Sequence, residues 1–415
     1  MTKRLILIVF ILFSVITTAQ ERTASPYSFY GIGLNTFKGT VENQSMGGLS
    51  FISDSIHQNL RNPAAYGKLR LTNYSLGASH FVAEVMTDAE SGTTNTTSFD
   101  YLAIGIPTGK FGFGFGLIPY TSVGYNIVDE DAQAGTVSRF SGRGGLNKVF
   151  LSGGYEINKN ISLGVDVDYN FGNIQNKNLF IQEGLEYGSR EINRSDLSGF
   201  TYTFGLTYER MLNEELQYTF GAHYTPEANL NSNNERELAT IIFSPTGLDV
   251  AVDSRDVELA DGDLTLPSSF TIGTGIGKPK KWFFGVEYAG SEASDFSNRS
   301  FALEGATYNK SASYRAGGYF IPNYNSISSY FSRIVYRGGL RLEETGLNLD
   351  GEDINEFGIS FGVGLPAGRM LSNVNLGFEY GQRGTKNSGL VLEDFFSAKI
   401  SLSLTDRWFI KRKFE

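Results

Sequence analysis

The sequence has no cysteine, which excludes disulfides, thiol catalysis and cysteine-based metal sites. Proline is scarce at 10 residues, and the 3 histidines, His57, His80 and His223, show no metal-ligand spacing. No Gly-x-Ser-x-Gly elbow, glycine-rich phosphate cradle or EF-hand spacing occurs, so an enzyme is not expected and no cofactor is implied. Asp129-Glu130-Asp131 has the charge to attract a divalent cation, but reads more simply as a solvated acidic loop. Long apolar runs are missing too. After Ile16 nothing approaches the roughly 18–20 residues of a membrane-crossing helix, so the chain beyond is either soluble or crosses a membrane as strands.

What is present begins with Lys3-Arg4, an apolar run from Leu5 to Ile16, and the small residues Thr17-Thr18-Ala19. This pattern is that of a secretory signal peptide over residues 1–19, cleaved before Gln20, rather than of a retained anchor. No cysteine follows the run, which excludes a lipoprotein. Losing residues 1–19 removes two cations, leaving 33 Lys and Arg against 44 Asp and Glu and a net charge of −11. Nucleic acid is therefore not an expected partner. The 49 Gly, 32 Phe and 22 Tyr suit an all-β chain with many tight turns and aromatic outer faces.

Periodicity carries the fold. Ile161, Leu163, Val165, Val167, Tyr169 and Phe171 alternate with Ser162, Gly164, Asp166, Asp168 and Asn170, placing the apolar side chains on one face of an extended strand. The same alternation returns at Phe200 to Tyr208, Trp282 to Tyr288, Phe357 to Leu365 and Val374 to Tyr380, and fourteen such strands fit between residues 71 and 404. Short links such as Thr108-Gly109-Lys110 and Asn158-Lys159-Asn160 take turns with long polar stretches such as 84 to 97, 173 to 197 and 226 to 266. A soluble sandwich has no reason for that alternation. It is the pattern of a 14-stranded antiparallel transmembrane β-barrel in a bacterial outer membrane, occupying residues 71–415 and bounded by outer-membrane lipid.

Residues 20–70 lack sustained alternation but carry Ser45-Met46-Gly47-Gly48-Leu49 and Asn62-Pro63-Ala64-Ala65-Tyr66. Their length and mixed apolar content favour folding into the lumen over dangling from the barrel. Here the sequence resembles the FadL/TodX-type outer-membrane protein family, whose N-terminal hatch carries a Gly-Gly stretch and then an Asn-Pro-Ala motif before the first strand. Gly47, Gly48, Asn62, Pro63 and Ala64 stand in that order. The resemblance implies a hatch over residues 20–70, a hydrophobic ligand pocket, and a passive channel for hydrophobic small molecules such as fatty acids, released through a gap at a kinked strand. Pro119 interrupts an apolar strand and is either such a kink or simply a strand end.

Arg333, Arg337 and Arg341 share the face opposite Ile334, Tyr336, Leu340 and Leu342, and Arg315 also points inward. Such a row either holds a carboxylate ligand or pairs with inward acids such as Asp166, Asp168, Glu287 and Glu379, and pairing is the simpler expectation. The glycine faces, such as Gly112, Gly114 and Gly116, either make room for a plug or ligand or ease sheet curvature. The rival function is a non-transporting accessory subunit that binds other outer-membrane proteins in a secretion or β-barrel assembly complex. The solvated stretch Asn229 to Glu237 suits a partner better than an apolar funnel.

Overall fold

Alternation becomes a two-faced wall. In the strand Ile161–Gln182, Leu163, Val165, Tyr169 and Phe171 are exposed on the outside, while Ser162, Asp166, Asp168 and Asn170 are buried on the inside. A computed structural model describes residues 23–131, 133–244, 248–292, 305–367 and 372–406. The expected leader over 1–19 and the end from Trp408 to Glu415 lie outside the described residues. Fourteen antiparallel crossings form a closed barrel. Closure is direct: Thr72–Met86 pairs with Leu392–Asp406 from Thr72↔Asp406 to Met86↔Leu392. Among the described residues no helix is long and apolar enough to cross a membrane.

The long polar links expected as loops are largely strand. Thr136–Glu156, Ile161–Gln182 and Gly188–Met211 run 21, 22 and 24 residues, about twice what a membrane-crossing strand needs. The stretch Asn229 to Glu237 lies inside the strand Ala228–Phe243, which pairs with Gly188–Met211 on one side and Asp249–Glu258 on the other. One side of the barrel therefore stands as a tall sheet beyond the apolar belt. The strands around Ser269–Lys278 and Trp282–Ser291, at 10 residues each, stay short.

The segment from Thr23 to Arg70 packs against the inner face of this wall. Its far end is fixed where Tyr27 Oη donates to Val391 O, near the Met86 and Leu392 end, and it descends to Leu69 and Thr72 at the opposite end. Two glycine rows receive it. Gly112, Gly154, Gly164 and Gly205 are direct cross-strand neighbours on four consecutive wall crossings. A Cβ at each would stand 1.9 Å from Tyr66 O, 2.4 Å from Gly67 N, 2.3 Å from Ala64 N and 2.3 Å from Asn62 Oδ1. Gly275, Gly285, Gly317 and Gly339 form a second in-register row. There a Cβ would stand 2.6 Å from Phe51 at Gly285, 2.4 Å from Met46 O at Gly317 and 2.2 Å from Gly47 N at Gly339. These glycine faces thus make room for the segment, for its main chain at Gly112, Gly154, Gly164, Gly317 and Gly339 and for the Asn62 and Phe51 side chains at Gly205 and Gly285.

A glycine inside a strand ordinarily weakens it, so replacement by valine should be neutral or favourable wherever space allows. Gly164→Val is expected to destabilise the barrel by about 1–3 kcal/mol through overpacking against Pro63 and Ala64, measured by urea unfolding in detergent. Gly153→Val, whose Cβ meets nothing within 4 Å, should cost nothing by the same assay.

Candidate functional site

The candidate site is the lumen, built from the two motifs outward. Thr40 caps the short helix Val41–Gln44, its side chain accepting from Asn43 N, and the chain then turns through Gly47 and Gly48 at φ +72° and +85°. A side chain at Gly47 would also meet Leu340 O at 2.6 Å, so both the left-handed backbone and the close approach require glycine there. Gly47 N donates to Ser360 Oγ at 2.9 Å. Asn62 begins the 3₁₀ turn Pro63–Lys68, its Oδ1 accepting from Ala64 N at 3.1 Å, and its Nδ2 donates to Leu206 O of the wall at 3.3 Å. Pro63 occupies the first turn position, where no N–H is needed, and Ala64 is fully buried. The two quoted motifs are therefore the two seats of the segment on the glycine rows.

Polar staples complete the seating. Glu287 Oε2 accepts from Ser50 N at 2.6 Å, Ser50 Oγ at 2.9 Å and Phe51 N at 3.1 Å, while its Oε1 binds Arg315 Nη1 at 2.6 Å. Gln58 Nε2 reaches Asn73 Oδ1 at 2.8 Å and Ser75 Oγ at 3.1 Å, and Asn375 Nδ2 donates to Glu42 Oε1 at 2.8 Å. Higher in the lumen, Val123, Tyr125, Leu146, Ile174, Leu197, Leu230 and Leu264 form an apolar layer against which Phe29 and Ile32 pack.

The arginine row divides. Arg341, fully inside the wall, binds Glu356 at 2.6 Å, Glu379 at 2.5 Å and Glu343 at 2.7 Å. Arg383 joins through Glu356 at 2.7 Å and Glu393 at 2.9 Å, Lys399 pairs with Glu379, and Lys38 of the N-terminal segment closes on Glu356 at 2.5 Å. Arg315 is held by Glu287, and Arg337 Nη1 donates to Asn375 Oδ1 at 3.1 Å. Arg333 stands apart from the row. It ends the one-turn 3₁₀ segment Phe331–Arg333, before the strand begins at Val335, and its guanidinium lies 5.5 Å from the Tyr330 ring centre. Sequence reasoning missed Lys38, Arg61, Glu356, Arg383 and Glu393. The last three sit at inward parity on their strands and were open to the period-two argument; Lys38 and Arg61 lie in irregular chain without such a signal.

The strand Phe111–Pro119 is paired on both sides, with Leu102 to Thr108 and with Asn147 to Tyr155. Beyond Pro119 the ladder changes: Thr121–Asp131 keeps Thr136–Glu156 on one side, and on the other its described partner is Leu34–Asn35 of the N-terminal segment. Thr36 N donates to Tyr120 O at 3.1 Å, and Ser28 Oγ bridges Gly124 N and O, each at 3.0 Å. Beside this seam lies a cavity of about 420 Å³, lined by Phe37, Leu60 and Tyr120 but equally by Arg61, Lys148, Asp166, Asp168, His223 and Arg315. Burial, and then the neighbouring Arg315, push the Arg61 guanidinium down to about 10. Asp129 to Asp131 end the strand Thr121–Asp131, and no group of three or more potential metal ligands occurs among the described residues.

A family model described as BamG matches residues 1–415. No curated protein matches the sequence. Among solved structures, the P. putida toluene transporter TodX superposes with a TM-score of 0.60 at 14% identity, covering 88% of this chain and 98% of that one. The CymD monoaromatic hydrocarbon channel gives 0.56 at 14% identity over 88% and 97%. A Pseudomonas aeruginosa FadL homologue gives 0.56 at 12% over 90% and 98%. The fold is thus that of the FadL/TodX-type barrels, and at such identities the likeness speaks for the fold alone.

Removing one carboxylate from a buried ion network leaves its cations uncompensated. Glu356→Leu, which takes the shared carboxylate from Lys38, Arg341 and Arg383 at once, is expected to cost about 3–5 kcal/mol in thermal unfolding in detergent. Lys38→Met should cost less, because Glu356 keeps two guanidinium partners, and it should make the N-terminal segment more sensitive to protease.

Proposed function

The chain belongs to the BamG family, and from that membership and a lumen occupied by the chain's own N-terminal segment we propose a non-transporting accessory subunit of a β-barrel assembly complex in the bacterial outer membrane. The observation that carries this reading is the seating of Met46–Gly47 and of Pro63–Gly67 on the two glycine rows, main chain against main chain. In this reading residues 20–70 are a fixed plug, and the arginines Arg315 and Arg341 each hold a wall carboxylate. The tall sheet built from Thr136–Glu156, Ile161–Gln182, Gly188–Met211 and Ala228–Phe243 offers surface beyond the membrane for other outer-membrane proteins. Exposed apolar side chains at its end, among them Phe180 at 46% and Leu238 at 44%, lie on strand extensions that outrun the apolar belt and favour protein contact.

A passive channel for hydrophobic small molecules is the second reading, favoured by the change of ladder at Pro119 and the adjacent cavity. Against it stands the chemistry of that cavity, where Lys148, Asp166, Asp168, Arg61 and Arg315 interrupt the apolar lining. An apolar ligand would desolvate these charges without replacing their partners.

Affinity isolation of the tagged chain from detergent-solubilised membranes separates the two. The expected result is a stoichiometric complex containing a second outer-membrane barrel, with depletion of the chain lowering the amounts of other outer-membrane barrels. Isolation of the chain alone, with depletion abolishing only growth on a hydrophobic compound, would establish the channel instead.

A further inference from the structure

The lumen cavity has a feature that neither the plug nor the partner surface uses. His223, Thr271, Ala289, Ser313 and Glu343 form one inward cross-strand row above the row that holds Glu287, Arg315 and Arg341. This upper row is short and polar, and it faces Arg61, which the N-terminal segment brings into the same cavity. The donors converging there lack acceptors. Ser313 Oγ, His223 Nδ1 and Arg315 Nε are all buried without a hydrogen-bond partner, and the Arg315 side chain is only 9% exposed. The Arg61 side chain makes a long hydrogen bond to Gly48 O at 3.4 Å, and it has no ion pair among the described residues.

The inward carboxylates around the cavity are already engaged, and Glu344, which also lines it, is exposed at the outward parity of its strand. Asp168 binds Lys148 at 3.0 Å, Asp166 accepts from Ser152 Oγ at 2.8 Å, and Glu343 binds Arg341 at 2.7 Å and faces Lys38 at 3.8 Å. Glu287 is shared between Arg315 and the main chain of Ser50 and Phe51. Two guanidinium groups, a hydroxyl and an imidazole are thus left with one wall carboxylate, and buried donors of this kind call for an acceptor.

We propose that this cavity binds a small oxyanion, a carboxylate or a phosphate group, between Arg61, His223, Ser313 and Arg315. The planar fork of Arg61 and the free Nε of Arg315 match two oxygens of such a group, and Ser313 Oγ and the Nδ1–H tautomer of His223 donate to it. At about 420 Å³ the cavity exceeds a bare ion, so the group is carried by a small organic molecule. Thr225, Ser269, Thr271 and Ser311 add hydroxyls to the wall there beside Leu266, Phe270 and Tyr308, so the site suits a body of mixed polarity. The site does not depend on whether the barrel has a protein partner.

The test is titration calorimetry on the full-length detergent-solubilised chain, with inorganic phosphate in one arm and acetate in the other. Saturable binding near one per chain is expected in at least one arm, and the arm with the tighter binding identifies the headgroup. Arg61→Gln and Ser313→Ala should each weaken it about tenfold, whereas Arg70→Gln, whose guanidinium pairs with Glu156 outside the cavity, should leave it unchanged. Should Arg61→Gln fail to fold, Ser313→Ala carries the comparison. No saturable binding in either arm, or equal affinity in wild type and Ser313→Ala, would overturn the proposal.

Discussion

Main chain lying directly on main chain is the constraint from which the rest of this barrel follows. At Gly112, Gly154, Gly164 and Gly205, and again at Gly285, Gly317 and Gly339, the wall carries no side chain because the N-terminal segment occupies that space. Backbone approach this close leaves no layer of water between plug and wall, so the polar groups of both surfaces must satisfy one another. They do so through Glu287, Ser360, Gln58, Asn62 and Asn375. Around these seats the interior is packed and hydrogen-bonded, in contrast to the water-filled bore of a porin, and a cavity of about 420 Å³ is left beside the Pro119 seam.

The ion network around Arg341 extends that logic upward. Burying Lys38, Arg341, Arg383, Lys399 and four glutamates carries a desolvation cost comparable to the attraction it gains, so its effect lies less in net stability than in position. Lys38 fixes the height of the segment against Glu356, and the pairing of Leu34–Asn35 with Thr121 and Ser122 fixes its lateral place. The seam above Pro119 is consequently stitched by the N-terminal segment itself.

Much of this was legible in the sequence. The strands announced themselves by period two wherever one face meets lipid, and Arg315, Arg337 and Arg341 were placed inward by parity alone. The strand extensions were not legible, because above the membrane the outer face is no longer uniformly apolar and the buried apolar residues, such as Ile174, Leu197 and Leu230, are single positions among polar ones; Asn229 to Glu237 reads as solvated loop although it is paired on both edges. Arg333 follows the right parity but sits in a 3₁₀ turn that no local signal announced. Which carboxylate meets which arginine depends on register between strands distant in sequence, as Arg341 with Glu379 does. The glycine faces leave open room for a plug or a ligand or an easing of curvature, and it is the approach of residues 45–67 to them that supports room for the segment.

The central claim is that the N-terminal segment remains seated while the protein works. A Cβ at Gly377 would stand 2.9 Å from Ser45 Oγ, within reach of a disulfide between these positions, and the chain has no other cysteine to interfere. The direct measurement is the activity in cells of the Ser45→Cys/Gly377→Cys variant with the bridge formed and reduced. Full complementation of a deletion strain in both states is the predicted result. Loss of complementation that is restored on reduction would contradict the account, because it would mean that the segment must leave its seat.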